Sequence, residues 1–296
     1  MKFKSLISKG LIVSSLSLGI VFTSFPGVPA FADSFKSVTI GADLSNDQKE
    51  EMLKYFEVTK NDANILEVTS KEEHTYLGKV ATEAQIGNKA ISCSYVEPTE
   101  KGGLKVTTNN LTWVNDGMIK NALITAGIEN ANVKASAPFK VSGTAALTGI
   151  LKGFENSSAG KKIDENKKET ANEELVTTGD IGEKIGQDDA SNLMNDIKKD
   201  VIKEKPKTDT EIKKIVDKAT EEYKTKLSDE DIANIKDVMS KINSLDLNYN
   251  NLKDQLNDVT NQLKGKLNSA EAKGFFAKLQ EMFSDLLDSI KSAFQK

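Results

Sequence analysis

The side chains best suited to covalent chemistry are few: His74 is the one histidine and Cys93 the one cysteine. A hydrolytic histidine needs a nucleophile and an orienting group beside it. Around His74 the sequence supplies Glu72 and Glu73, in a helix expected to open at Ser70 with Ser70-Lys71-Glu72-Glu73 as its capping box. Asp43 closes a short β-type run, Val38-Thr39-Ile40, and precedes a helix. A carboxylate there can join an oxygen-rich cation site, or cap and brace the local turn, which is the preferred reading. Asp43, Glu72, Glu73 and His74 are therefore the candidate polar cluster, with no residue assigned as catalytic and none as a metal ligand. Cys93 lies in an alternating run with Ile91 and Tyr95 and reads as a small buried thiol. A Cys93–His74 dyad would require the fold to join the two. One histidine and one cysteine exclude a multi-His or multi-Cys zinc site, and no cofactor is implied.

Three further patterns fail on inspection. Asp246-Leu247-Asn248-Tyr249-Asn250 has the 1-3-5 spacing of a calcium loop, but Asn251 stands where glycine is required and Asn257 where the bidentate glutamate belongs. Ser158-Ala159-Gly160-Lys161 has a serine–lysine spacing used by acylating enzymes, but it sits in a polar stretch without an apolar frame. Gly160-Lys161 is no phosphate loop, because Glu155 replaces the first glycine and Lys162 the serine or threonine. Tyr95 and Trp113 read as core or rim aromatics.

The elements that position these residues begin after the N-terminal segment. Lys2, Lys4 and Lys9 precede an apolar run from Leu11 to about Phe25, then Pro26, Pro29 and Ala30-Phe31-Ala32. That order is a secretory signal peptide over residues 1–32, cleaved after Ala32. The apolar run is short for a membrane span, and nothing later is apolar enough to be one. Removing the segment takes the formal charge of this 296-residue chain from −4 to −7. An acidic chain whose cations are nearly all lysine is a poor nucleic-acid partner. A lone thiol forms no internal disulfide, so stability must come from packing.

Residues 33–155 mix short β-rich runs with helices in the order βα-βα-ββ-α-β-α, which defines an α+β domain with a mixed sheet. The capping box Ser45–Gln48 opens one helix. Ile91–Glu97 and Leu104–Thr108, separated by Pro98 and Gly102-Gly103, read as a hairpin. Gly127 stops the Asp116–Ala126 helix, and Ser142 is expected to cap the next one. Residues 156–187 read as a polar linker with a short helix, since Asn156–Glu174 holds no large apolar residue except Ile163. Residues 188–296 are helical. From Ile232 through Tyr249 to Leu263 apolar residues alternate by four and three, a heptad seam expected to form one long coiled-coil-like helix in a hairpin or bundle. A last amphipathic helix carries Phe276, Leu279, Phe283, Leu286, Ile290 and Phe294.

Several phrases carry a family resemblance. They are Val38–Leu44, Tyr76-Leu77-Gly78, Asn121–Ile128, Val141–Ile150 and Glu174–Gly179. Together they resemble the YpuA-like secreted proteins catalogued as domain of unknown function 1002. The resemblance implies secretion and carries no activity with it. The expected function is that of a non-catalytic exported protein binding an envelope or extracellular partner, with self-association through the helical region. A secreted carboxylate- or divalent-cation-dependent hydrolase is the alternative, and a peripheral membrane-surface protein using Phe276–Phe294 a second one.

Overall fold

In the computed structural model, residues 36–223 and 225–266 are described. The expected signal peptide, the helix expected over Phe276–Phe294 and the end of the heptad seam near Leu263 fall on residues whose backbone or side chains lie outside this description. The α+β part runs β1 (Ser37–Gly41), α1 (Asn46–Tyr55), β2 (Asn64–Val68), α2 (Ser70–Leu77), α3 (Glu83–Ile86), β3 (Cys93–Pro98), β4 (Leu104–Leu111), α4 (Asp116–Thr125), β5 (Ala131–Val141) and α5 (Thr144–Glu155). The helical part runs α6 (Glu165–Ile185), α7 (Gln187–Glu204), α8 (Asp209–Thr220), a 3-10 turn (Glu221–Tyr223), α9 (Asp229–Ser244) and α10 (Tyr249–Lys266). The fold is α+β, as the order of elements in the sequence implies. Among the described residues no helix is long and apolar enough to cross a membrane.

The five strands form one mixed sheet in the order β2-β1-β3-β5-β4. β1 is parallel to β2 and antiparallel to β3; β5 is antiparallel to β3 and parallel to β4. The expected β3–β4 hairpin is therefore not made: β5 lies between the two strands. The connection between β4 and β5 explains this. The helix α4 gives the chain a crossover long enough to return β5 parallel to β4, and the turn residues Gly102 and Gly103, both at positive φ, carry the chain away from β3.

Each face of the sheet is covered by a different helix. On one face Val38, Ile40, Cys93 and Tyr95 meet Met52, Leu53 and Phe56 of α1. On the other, α5 approaches so closely that a Cβ on Gly149 would lie 2.4 Å from Thr39 Oγ1. Thr39 and Ser94 satisfy each other by a hydroxyl–hydroxyl hydrogen bond beneath it. The cap of α5 is Gly143 at φ 99°, not Ser142, because the turn there needs the left-handed region. The box on α2 also sits one residue earlier than expected, with Thr69 and not Ser70 as the cap. Those at Ser45–Gln48 and Ser228–Asp231 form as read.

The stretch expected as a polar linker contains α6, a 21-residue helix at the centre of the helical body. It packs on α4, α7 and α9. It buries Ala171, Thr170, Thr177, Thr178 and Gly179 alongside Leu175, Val176 and Ile181. Small residues allow close helix approach without a strong apolar signature, which is why the segment looks solvated in sequence. The long seam also differs: α9 stops at Ser244, Asp246 turns the chain at φ 48°, and α10 begins at Tyr249. Ile235, Met239, Ile242, Leu252, Leu256 and Val259 are all buried. One apolar core runs from Val106 and Met118 through Leu175 and Ile197 to Leu256, so the seam packs inward and is not an exposed arm.

Inside that core sits an ion pair. Lys198 of α7 is wholly buried and donates to Glu174 of α6 (2.8 Å), to the Asn121 carbonyl (2.8 Å) and to Thr125 Oγ1 (3.3 Å) on α4. Thr125 in turn donates to the second Glu174 oxygen. Burial pulls the Lys198 ammonium below its ordinary value, and Glu174 offsets part of that. Removing one partner strands a buried charge, which costs about 3–5 kcal/mol, whereas replacing both by apolar residues costs far less. Lys198→Met alone should therefore lower urea-unfolding stability by about 3 kcal/mol or more. The double variant Lys198→Met/Glu174→Leu should recover most of the loss, and equal losses would show that the pair is not the source.

Candidate functional site

Successive residues on a helix leave it about 100° apart, and Glu72, Glu73 and His74 accordingly point to three different surroundings. Glu72 closes the cap of α2, accepting from the Thr69 amide at 2.9 Å, and takes a 2.5 Å ion pair from Lys152 of α5. Partial burial pushes its carboxyl up, but the bonds from Lys152 and Thr69 outweigh this and hold it below the usual carboxylate range. His74 is a boundary imidazole: Nδ1 donates to the Ser70 carbonyl at 2.7 Å and Nε2 faces Glu83 at 3.1 Å. The Ser70 carbonyl and Glu83 raise its pKa above the ordinary value. Asp43 accepts from the Ala90 amide at 2.8 Å while its own amide donates to the Ala90 carbonyl at 3.2 Å. It braces the exit of β1 against the segment before β3, as the turn reading anticipates.

Glu73 is different. It is 1% exposed, and neither carboxylate oxygen makes a well-formed hydrogen bond. Burial pushes its pKa up to about 7; the Thr144 hydroxyl and the His74 charge offset only part of this. The four residues are thus held in separate structural settings. Cys93 is wholly buried on the α1 face, its thiol pushed up to about 11 by burial. His74 belongs to α2, which packs on α5 and α6 beyond the opposite face, so the fold does not join Cys93 to His74. Among the described residues no group of three or more His, Cys, Asp or Glu is placed to hold a metal ion.

A polar assembly that sequence spacing does not reveal lies where α3, the start of α4, the end of α6 and the start of α9 meet. The Trp113 ring lies directly on Gly179, where a Cβ would come within 2.1 Å of a ring carbon. Its Nε1 donates to Glu183 at 3.0 Å. Gln85 donates to Asp180, Asn115 to Asp188 at 2.8 Å, and Lys184 pairs with Asp231 at 2.5 Å. Burial first, then the Glu183 charge, raises the pKa of Asp180; burial and Asp188 do the same for Asp189. Glu183, Asp180, Asp188 and Asp231 each accept from a donor of the protein, Lys184 among them, so the assembly ties these helix ends together. The only sequence signal for it is the Gly179 that seats the ring.

A five-stranded mixed sheet built onto a helical body with a buried lysine–glutamate pair is the architecture of this protein, and the chain belongs to the DUF1002 family of proteins of unknown function, whose family model matches residues 40–259. It is 40% identical over 260 residues to the uncharacterized protein YpuA of Bacillus subtilis (strain 168), spanning 87% of this chain and 89% of that one. No solved structure matches it. The phrases carrying the family likeness have physical roles here. Asn121, Thr125 and Glu174 surround Lys198, Gly149 seats α5 on Thr39, and Gly179 seats Trp113.

Glu73 gives a pH test. Its folded pKa of about 7 lies above the ordinary 4.5, so the unfolded chain ionises first. Its contribution to stability therefore falls as pH rises from about 4.5 to 7 and stays low above that. Glu73→Gln should gain about 2–3 kcal/mol relative to the parent at pH 8 and little at pH 4. Urea unfolding at both values reads the difference; an equal effect at the two pH values would refute the assignment.

Proposed function

We propose that this protein is exported and acts as a non-catalytic binding protein in the cell envelope or outside the cell. The observation that carries the non-catalytic reading is the commitment of Asp43, Glu72 and His74 to three separate structural contacts, with Glu73 sealed inside. General acid–base or nucleophilic chemistry requires such groups to converge within hydrogen-bond reach of one reacting atom. Export is supported by the basic, apolar and Ala30-Phe31-Ala32 order of the N-terminus. β1 opens only at Ser37, so release of residues 1–32 removes no described element. With the helical seam buried in the core, recognition falls to the sheet side and to the polar outer surfaces of the helices.

Expression of the full chain in a Gram-positive host, with intact-mass measurement of the medium and the wall fraction, should give a protein beginning at Asp33. Retention of residues 1–32 on a cytosolic product would refute export. The purified mature protein should show no turnover on ester, peptide and phosphate panels with calcium, magnesium or manganese present. Hydrolysis that disappears in Asp43→Ala or His74→Ala would overturn the binding-protein reading.

A further inference from the structure

Two unlike surfaces hold α10 to the body. Leu252, Leu256 and Val259 are buried at 3% exposure or less. Beside them the contact with α7 is polar. Asn195 Nδ2 donates to the Leu256 carbonyl at 2.9 Å and to Thr260 Oγ1 at 3.0 Å. Thr260 donates to Asp196 at 3.2 Å, and Lys199 donates to Asn257 at 2.6 Å. Toward α4, Lys120 pairs with Asp258, and Gln255 donates to the Glu129 carbonyl.

The bonding is incomplete. Both side-chain polar atoms of Asn192, Oδ1 of Asn195, Oδ2 of Asp200 and Oε1 of Gln255 are buried without a hydrogen-bond partner. Asn192, Asp196 and Asp200 stand four residues apart and so line one stripe of α7. A buried polar atom without a partner favours any state in which water reaches it. A route to such a state is built in: the turn between α9 and α10 carries Asp246 at φ 48°, its side chain almost fully exposed.

We infer that α10 is a releasable strap, docked on α4 and α7 over a stripe of buried polar groups without partners, and that its release opens a polar groove along α7 containing Asp200. The charged and titratable groups that act on Asp200 and its neighbours include Asp196, Lys199, Lys203 and Glu204 on α7, Tyr249 on α10, and Lys218 of α8 beside Glu204. Burial, then Glu204 and Asp196, pushes Asp200 up to about 7; Lys203 and Lys199 offset part of this. Tyr249 on the strap is itself raised by burial and by the Asp200 charge. In the released state Asp200 regains water and ionises near its ordinary value. Docking is therefore strongest in acid, weakens as pH climbs from about 4 through 7, and levels off above that.

Hydrogen exchange of the mature full chain at pH 5.5 and 8.5, corrected for the intrinsic pH dependence, tests this. The opening equilibrium of α10 should rise roughly thirtyfold between the two values, lie above that of α6 at both, and keep its rise in Glu73→Gln, which removes the Glu73 contribution to global unfolding. Asp200→Asn should abolish the rise. The inference fails if α10 opens in step with α6 at both pH values, a comparison the parent protein alone provides, or if Asp200→Asn leaves the rise intact.

Discussion

The arrangement of the helical body depends on the contact between Lys198 and Glu174. A charge cannot sit at zero exposure in an apolar core unless its partners are fixed in place. Here α4 supplies a carbonyl and a hydroxyl, α6 the carboxylate and α7 the ammonium. A shift of α6 against α7 by one turn would strand two full charges, and a shift of α4 would strip the ammonium of two further hydrogen-bond acceptors. The pair thus contributes little net stabilisation, but it penalises alternative registers heavily. Ala122, Leu175, Ile197 and their apolar neighbours, which would tolerate several packings alone, are confined to one.

Much of the secondary structure is legible in the sequence, because caps and periodicity are local. The Ser45–Gln48 and Ser228–Asp231 boxes, the stop at Gly127 and the burial of Cys93 depend on residues within one turn or one strand of each other. The misreadings share a different cause. Adjacency in the chain makes β3 and β4 look like partners, yet pairing is decided by the return of β5 after α4. The helix α6 is hard to see because its buried face dilutes Leu175, Val176 and Ile181 with small residues, threonines, Lys168 and Glu174, and the polar members of that set usually mark solvent. The heptad spacing across Ser244–Tyr249 persists through a turn, since apolar spacing says nothing about an interposed left-handed residue such as Asp246.

The candidate cluster illustrates the same limit from the side of chemistry. Glu72, Glu73 and His74 are contiguous in sequence, and helical geometry is what separates them. Asp43 answers to Ala90 and Glu72 to Lys152, partners that no motif announces. Conversely, Trp113, Asp180 and Glu183 come together only because Gly179 leaves room for an indole, a relation visible solely in three dimensions. Chemistry-bearing residues are readable as types, and their company is not.

The export proposed above would carry Cys93 into an oxidising medium, where its placement matters. At zero exposure beneath α1, with a thiol that stays protonated at any physiological pH, it offers no thiolate to oxidants or to neighbouring molecules. Crosslinking and overoxidation are then open only to chains that have come apart, so redox damage becomes a measure of time spent unfolded. The chain can keep one sulfhydryl without needing a second to protect it.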